Sequence, residues 1–270
     1  MASSWADVRR RLRGAASPVV AAQCRFFAPT AGTVLGIKVP ALRAMVKEWA
    51  AANRQITPAD AAALADQAFA SGCREEQLFA TFLLNRLKSK LGPEEWKKLD
   101  RWVDRIDNWE ACDQLATGVA GEMIGRAGQA DRARWTRELI RWATARNPWR
   151  RRFAVAATTA LNQKGRRDAA TALQVCACVV ADEDIFVRKA IGWALREATR
   201  SDAAAVYAFL HTHRATLPRS VLRESAQKLQ PAQRKALGLL KAAPGSGAQS
   251  ASATRKPRHA PRARPAARRH

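Results

Sequence analysis

Acidic residues are scarce in this chain. Twenty-three Asp and Glu stand against 47 Lys and Arg in 270 residues, a formal charge of +24. Long apolar runs are missing too: none approaches the roughly 20 residues that a membrane-spanning helix requires, so a soluble chain is expected. The five cysteines, Cys24, Cys73, Cys112, Cys176 and Cys178, are odd in number and lack paired CxxC spacing. That excludes the usual zinc patterns and a disulfide framework, and predicts a reducing compartment with Cys176 and Cys178 as core thiols. No Gly-rich phosphate loop and no HExxH motif occurs, which removes the sequence signatures of nucleotide, flavin and zincin sites. His211 and His213 have no acidic or thiol companion and read as a surface turn. Alternation of β-branched residues, the mark of strands, is absent as well.

What is present is cationic and helical. Clustered Lys and Arg gain free energy on phosphate through counterion release, so nucleic acid is the leading partner, with an acidic membrane surface as the competing one. Residues 242–270 carry seven Lys or Arg and no acid in a Pro-, Ala- and Ser-rich run. They read as a disordered basic tail that follows a folded body at 1–241. Without the tail the body still carries +17. The opening "MASSWADVRRRLRGAAS" is Arg- and Ser-rich, a pattern shared by organelle transit peptides and by a first helix with a basic outer face.

Apolar residues recur at helical spacing. "EEWKKLDRWV" aligns Trp96, Leu99, Trp102 and Val103, and "EEQLFATFLLNRLKSKL" aligns Leu78, Phe79, Phe82, Leu83 and Leu87; both predict half-buried helices. Breaks at Pro58, Gly72, Pro93, Gly125 to Gly128, Pro148, Gly165 and Pro218 divide the body into helices of about 10 to 18 residues. Three segments repeat: "DNWEACDQL" (107–115), "NPWRRRFAV" (147–155) and "DIFVRKAIGWAL" (184–195). Each has a large aromatic in third place, Trp109, Trp149 and Phe186, spaced by 40 and 37 residues. Each also begins with a cap: Asp107 with Glu110 three on, Asn147 before Pro148, and Asp184. Helix pairs at this interval predict an all-α solenoid of HEAT-like or armadillo-type hairpins, with a concave basic groove.

Equivalent positions of the repeats place Trp109, Asp113, Arg152, Lys189 and Trp193 on the face that would line such a groove. Trp109 and Asp113 are four residues apart, one helical turn, and share a face. The residues alone leave two readings open. In one, the indoles are inter-repeat core and Asp113 and Arg152 form a plain ion pair. In the other, one carboxylate and two indoles converge among cations as a site.

Four segments in order, "LGIKVPALRAMVKE" (35–48), "DNWEACDQL", "NPWRRRFAVAAT" (147–158) and "FVRKAIGWALREATR" (186–200), resemble the DNA alkylation repair family of HEAT-like alkylpurine DNA glycosylases. "LPRSVLRESAQKL" (217–229) fits as well, so the resemblance covers residues 15 to 230. It implies hydrolysis of the N-glycosidic bond of cationic alkylated purines, such as 3-methyladenine and 7-methylguanine, in duplex DNA without flipping the base. By the same resemblance Asp113 is the catalytic carboxylate, Trp109 and Trp193 are aromatic walls for the lesion nucleotide, and Arg152 grips the backbone beside it. Lys189 joins them as a DNA contact. The absent motifs and a reaction that needs only water predict no cofactor and no metal, and the lack of long apolar runs predicts no membrane. A solenoid that closes its own core around a DNA-filled groove predicts a monomer, in the cytoplasm with the nucleoid. One departure stands out: active members carry a Tyr near the LGI segment, where this chain reads "CRFFAPTAGTVLGI". Phe27, or Phe26 beside it, offers a stacking ring without a hydroxyl. Two other functions remain: a non-catalytic binder of distorted or branched DNA, and a HEAT-type protein-interaction scaffold.

Overall fold

Local caps write most helix starts. The structure, a computed structural model, describes residues 4–240, so the tail expected at 242–270 lies outside the described residues. Ser4 and Asp7 form a reciprocal capping box that opens α1 (Trp5–Gly14), and Ser17 with Pro18 in the first turn opens α2 (Pro18–Phe27). After α3 (Val39–Ala52), Thr57 and Asp60 repeat the box for α4 (Pro58–Ala70). Gly72, at φ 63, takes the left-handed turn into α5 (Arg74–Arg86). Next come α6 (Pro93–Val103) and α7 (Trp109–Leu115). A π-helical turn, Ala116–Ala120, carries α7 into α8 (Gly121–Arg126). The chain continues through α9 (Gln129–Ala143), α10 (Pro148–Thr159), α11 (Ala169–Ala177), α12 (Ile185–Ala198), α13 (Ala203–Thr212), α14 (Arg219–Ser225) and α15 (Pro231–Ala236).

These helices stack in two layers, and the all-α solenoid expected from the repeats is the fold. One layer runs α3, α5, α7, α10, α12, α14, each packed on the next; the other contains α4 on α6, and α9, α11 and α13 in succession. Hairpin partners α4 and α5, α9 and α10, and α11 and α12 join the layers. Between them lies one apolar cluster that extends from Trp5 to Leu237. Burial on that scale, at roughly 25 cal/mol per Å², is the main stabilising term of such a stack.

The second layer has its own repeated staple. Trp102 donates its indole N–H to Asp66 at 2.8 Å, and Arg101 donates to the same oxygen at 3.1 Å. One unit along, Trp142 and Arg141 do the same to Asp100 at 2.8 and 3.2 Å. Each Arg-Trp pair therefore ties its helix to the preceding one while the indole satisfies its only donor.

Three expectations need correction. The cap of α7 is Asn108, whose side chain accepts the Ala111 N–H at 2.9 Å; Asp107 accepts the Gly32 N–H at 2.8 Å instead, and Glu110 is taken by an arginine. Helix α5 is buried from Arg74 to Leu84 rather than half-buried, because α3, α4 and α7 enclose it. Cys176 is a core thiol, but Cys178 caps the end of α11 and is exposed. The caps at Asn147 and Asp184 are as expected: Asn147 accepts Trp149 N–H, and Asp184 accepts Phe186 and Val187 N–H. His211 stands in the last turn of α13 and His213 caps it.

Candidate carboxylate site and nucleic-acid interface

Helix α7 places the carboxylate. Asn108, fully buried, fixes its start; Trp109 follows at the first helical position and Asp113 one turn later. The Thr117 hydroxyl donates to the Asp113 carbonyl at 2.7 Å, across the beginning of the π-helical turn. Such turns are frequent at functional sites because they re-aim one helical face. Asp113 keeps 13% of its side-chain surface accessible.

Arg152, from the first turns of α10, meets Asp113 with both edges of its fork. Nε donates to Oδ1 at 2.9 Å and Nη2 to Oδ2 at 2.7 Å, while Nη1 donates to the Phe186 carbonyl at the start of α12. One guanidinium thus joins α7, α10 and α12. Burial raises the Asp113 carboxyl above its ordinary pKa, with the Arg152 charge and hydrogen bonds working against that rise and Glu110 adding to it. Beside it, burial raises the Cys112 thiol well above its usual value. Its Sγ faces the Trp149 carbonyl at 3.7 Å, so it is an inert packing group.

The tryptophans divide by layer. Trp5, Trp49, Trp96, Trp102, Trp135 and Trp142 are core, whereas Trp109, Trp149 and Trp193, on α7, α10 and α12, are half-buried. Trp149 leans on Phe186 with ring centroids 5.1 Å apart. Trp193 packs on the core from two turns further along α12. Lys189, one turn before it, is exposed and lines a cavity of about 310 Å³ with Ile185, Arg188, Gly192 and Glu224. A Cβ on Gly192 would lie 2.8 Å from Glu224 Cγ and 3.0 Å from its Cβ, so any larger residue there would force the Glu224 side chain of α14 to shift. Phe27 ends α2, and its side chain lies outside the described residues.

Of the residues singled out in the sequence, Asp113 and Arg152 are in direct contact, Trp109 shares α7 with the carboxylate, and Trp193 and Lys189 share α12 with the carbonyl that Arg152 holds. Sequence reasoning passed over Arg74 and took Glu110 for a capping partner of Asp107. Arg74 heads α5, is 4% exposed, and donates to Glu110 Oε2 at 2.7 Å. The signal was "REEQ" (74–77), a charged run that opens an otherwise apolar helix yet is entirely buried. Glu75 in that run accepts the N–H groups of Leu35, Gly36 and Ile37 at 2.8, 3.0 and 3.3 Å, which anchors the LGI segment.

A second polar centre lies beyond the π-helical turn. Glu122, 4% exposed, pairs with Lys164, Arg166 and Lys88 at 2.9, 2.9 and 3.4 Å. Burial opposes its ionisation, but the hydrogen bonds from Arg166 and Lys164 and the surrounding cations hold its pKa down to about 2. Among the described residues, no group of three or more His, Cys, Asp or Glu side chains is placed to hold a metal ion, and no helix is long and apolar enough to cross a membrane.

Chemically, the arrangement offers one oriented carboxylate, partly exposed indoles on three successive helices, and cations around them. Residues 8–229 match the family described as DNA alkylation repair enzyme. Among solved structures, a predicted DNA alkylation repair enzyme from Enterococcus faecalis superposes with a TM-score of 0.67 at 19% identity, over 80% of this chain and 97% of that one. At that identity the likeness speaks to the fold. Comparison with curated proteins gives no match.

Proposed function

This chain belongs to the DNA alkylation repair enzyme family, and we propose that it is a DNA glycosylase, hydrolysing the N-glycosidic bond of cationic alkylated purines in duplex DNA. The observation that carries this reading is the fixed orientation of Asp113 by the Arg152 fork on a helix face that also carries Trp109. An N3- or N7-alkylated purine is positively charged and departs as a neutral base, so the leaving group needs no general acid. Charge moves onto the deoxyribose, and a preorganised carboxylate beside it stabilises that oxocarbenium-like centre and orients the attacking water. Removing one such group costs about 10²–10³ in rate, or about 3–4 kcal/mol. Indole faces at Trp109 and Trp193 add cation–π stabilisation of about 1–2 kcal/mol where water is excluded. Arg152, whose contacts run to Asp113 and the Phe186 carbonyl, serves the carboxylate first, and Lys189 serves the phosphates. Recognition on an open face, with the base left in the stack, suits a carboxylate that reaches the surface through only a small aperture. Water is the only co-reactant, and a monomer suffices.

A second reading, a binder of distorted or branched DNA without excision, draws support from the engagement of both Asp113 oxygens by Arg152. One experiment separates the two. Duplex DNA bearing N7-methylguanine is incubated with the wild type and with Asp113→Asn, then heated to break strands at abasic sites. Breakage with the wild type alone supports excision, whereas binding by both proteins with breakage by neither supports the second reading.

A further inference from the structure

Helix α7 carries two carboxylates three residues apart, Glu110 and Asp113, and each is closed by an arginine from a different neighbour. Arg152 reaches Asp113 from α10. From α5, Arg74 reaches Glu110 with Nε at 2.7 Å and Nη2 at 2.5 Å. Arg152 bridges both oxygens of Asp113, whereas Arg74 puts both nitrogens on Glu110 Oε2, but the two guanidiniums share a plan. Each spends two nitrogens on its α7 carboxylate and sends Nη1 to a main-chain carbonyl outside α7: Phe186 for Arg152, and Ile37, at 3.3 Å, for Arg74. Arg74 Nη1 also meets Glu75 at 2.7 Å.

We propose that Arg74 is a positioning residue for Asp113, acting through Glu110 by neutralising the second charge on the same helical face. The proposal rests on Asp113 being the functional carboxylate. Residues three apart on a helix are neighbours, and a like charge at that range favours protonation of a carboxyl. The groups that bear on the pair are Arg152 from α10, Arg74 and Glu75 from α5, Cys24 from α2, and Cys112 on α7 itself. With Arg74 in place, the Glu110 charge is partly compensated, and Asp113 feels burial and Arg152 first and only a lesser push from Glu110. Without it, two half-buried carboxylates share one turn, and the uncompensated Glu110 charge favours the protonated form of Asp113.

The test reads the Asp113 carboxyl directly, by ¹³C NMR titration of the free, selectively labelled protein, so it does not depend on excision. Arg74→Met raises the Asp113 midpoint by about one pH unit. Glu110→Gln added to Arg74→Met returns it to the wild-type value, and Arg74→Lys, which keeps the charge, stays within a few tenths of a unit. In the excision assay, the acidic limb of kcat/KM moves by the same amount with Arg74→Met and is restored in the double variant. A midpoint unmoved by Arg74→Met, or moved and not restored by Glu110→Gln, overturns the proposal and leaves Arg74 a purely structural tie. If the titrations behave as expected but the wild type excises nothing, the positioning role stands and the glycosylase reading fails. Should Arg74→Met not fold, Glu110→Gln alone carries the test: it must lower the Asp113 midpoint, and a midpoint unchanged or raised overturns the proposal.

Discussion

Arg152 closes on Asp113 with two parallel hydrogen bonds, 2.9 and 2.7 Å long, and keeps its third edge on the backbone of the next helix. The fork demands arginine, because lysine presents a single point charge and cannot bridge both oxygens. Truncating one partner of a buried pair costs about 3–5 kcal/mol, since the other charge is left uncompensated. Arg152→Met is therefore expected to lower unfolding free energy by that order, measured by urea denaturation, and Asp113→Asn in the same chain to recover part of it. If Arg152→Met and wild type unfold at the same urea concentration, the pair contributes nothing.

The pH dependence has a defined sign. Burial raises the Asp113 carboxyl above its ordinary 3.8 despite Arg152. A carboxyl raised by folding costs stability once it ionises, so this cost is absent below the unfolded pKa and grows as pH rises through the folded one. On the proposed glycosylase reading function runs the opposite way, because only the anion would stabilise the sugar cation. Excision falls on acidification with a midpoint above 3.8, in a range where ordinary surface aspartates are still ionised. A profile flat down to pH 4 would remove Asp113 from the chemistry.

Lys189 is exposed one turn before Trp193, on the cavity between α12 and α14. A lysine that neutralises one phosphate contributes about 0.9 to the slope of log K against log salt. Lys189→Ala is expected to reduce that slope by about this amount, with equal effect on lesion and undamaged duplexes. An unchanged slope places Lys189 off the DNA path.

Glu122 provides an acid-stability signature of its own. Its pKa, held at about 2 against an unfolded value of 4.5, means that its contribution is present above pH 4.5 and drains away as pH falls toward 2. Wild type should lose up to about 2 kcal/mol more stability between pH 6 and pH 3 than Glu122→Gln does. Urea titrations at the two pH values measure it, and parallel losses in both proteins would refute it.

The architecture was legible because periodicity and caps are local. Asn147 and Asp184 cap where expected, and the aromatic third position of each repeat marks the layer that carries α7, α10 and α12. Cys178 was misread because it falls at the exposed end of α11, where the apolar run has already left the core; the other two misreadings involve partners distant in sequence. Asp107 and Asn108 are equally competent caps; what decides between them is the Gly32 N–H, 75 residues away, which takes Asp107. The charged opening of α5 reads as a solvated face until Glu75 is found anchoring residues 35–37 and Arg74 found on Glu110. In the candidate site, the phase that puts Arg152 opposite Asp113 was legible from the repeat spacing. Its two-pronged grip was not, because spacing carries no information about side-chain orientation. The Arg-Trp staples of the second layer, 101–102 and 141–142, were not read from the sequence, because their aspartate partners lie a whole helix pair away.

Two glycines flank the exit from the π-helical turn and differ in what surrounds them. A Cβ on Gly118 would meet the Asn85 carboxamide, the far end of a side chain, at 2.5 Å. A Cβ on Gly121 would lie 2.5 Å from the Ala157 carbonyl oxygen and 2.7 Å from Ala160 Cβ, both rigid parts of α10 and the turn that follows it. A flexible amide swings aside at little cost, whereas backbone must shift, and overpacking of that kind costs about 1–3 kcal/mol. Gly118→Ala is accordingly expected to be near neutral or slightly stabilising, through the lower chain entropy of alanine in helix. Gly121→Ala should lower the thermal midpoint by several degrees. Because α8, which continues α7 through the π-helical turn, meets α10 across this contact, Gly121→Ala should also disturb the Asp113–Arg152 register, reducing excision more than DNA affinity. Equal melting temperatures for the two alanine variants would show that α8 and α10 are free to slide apart, and that the π-helical turn does not fix the carboxylate.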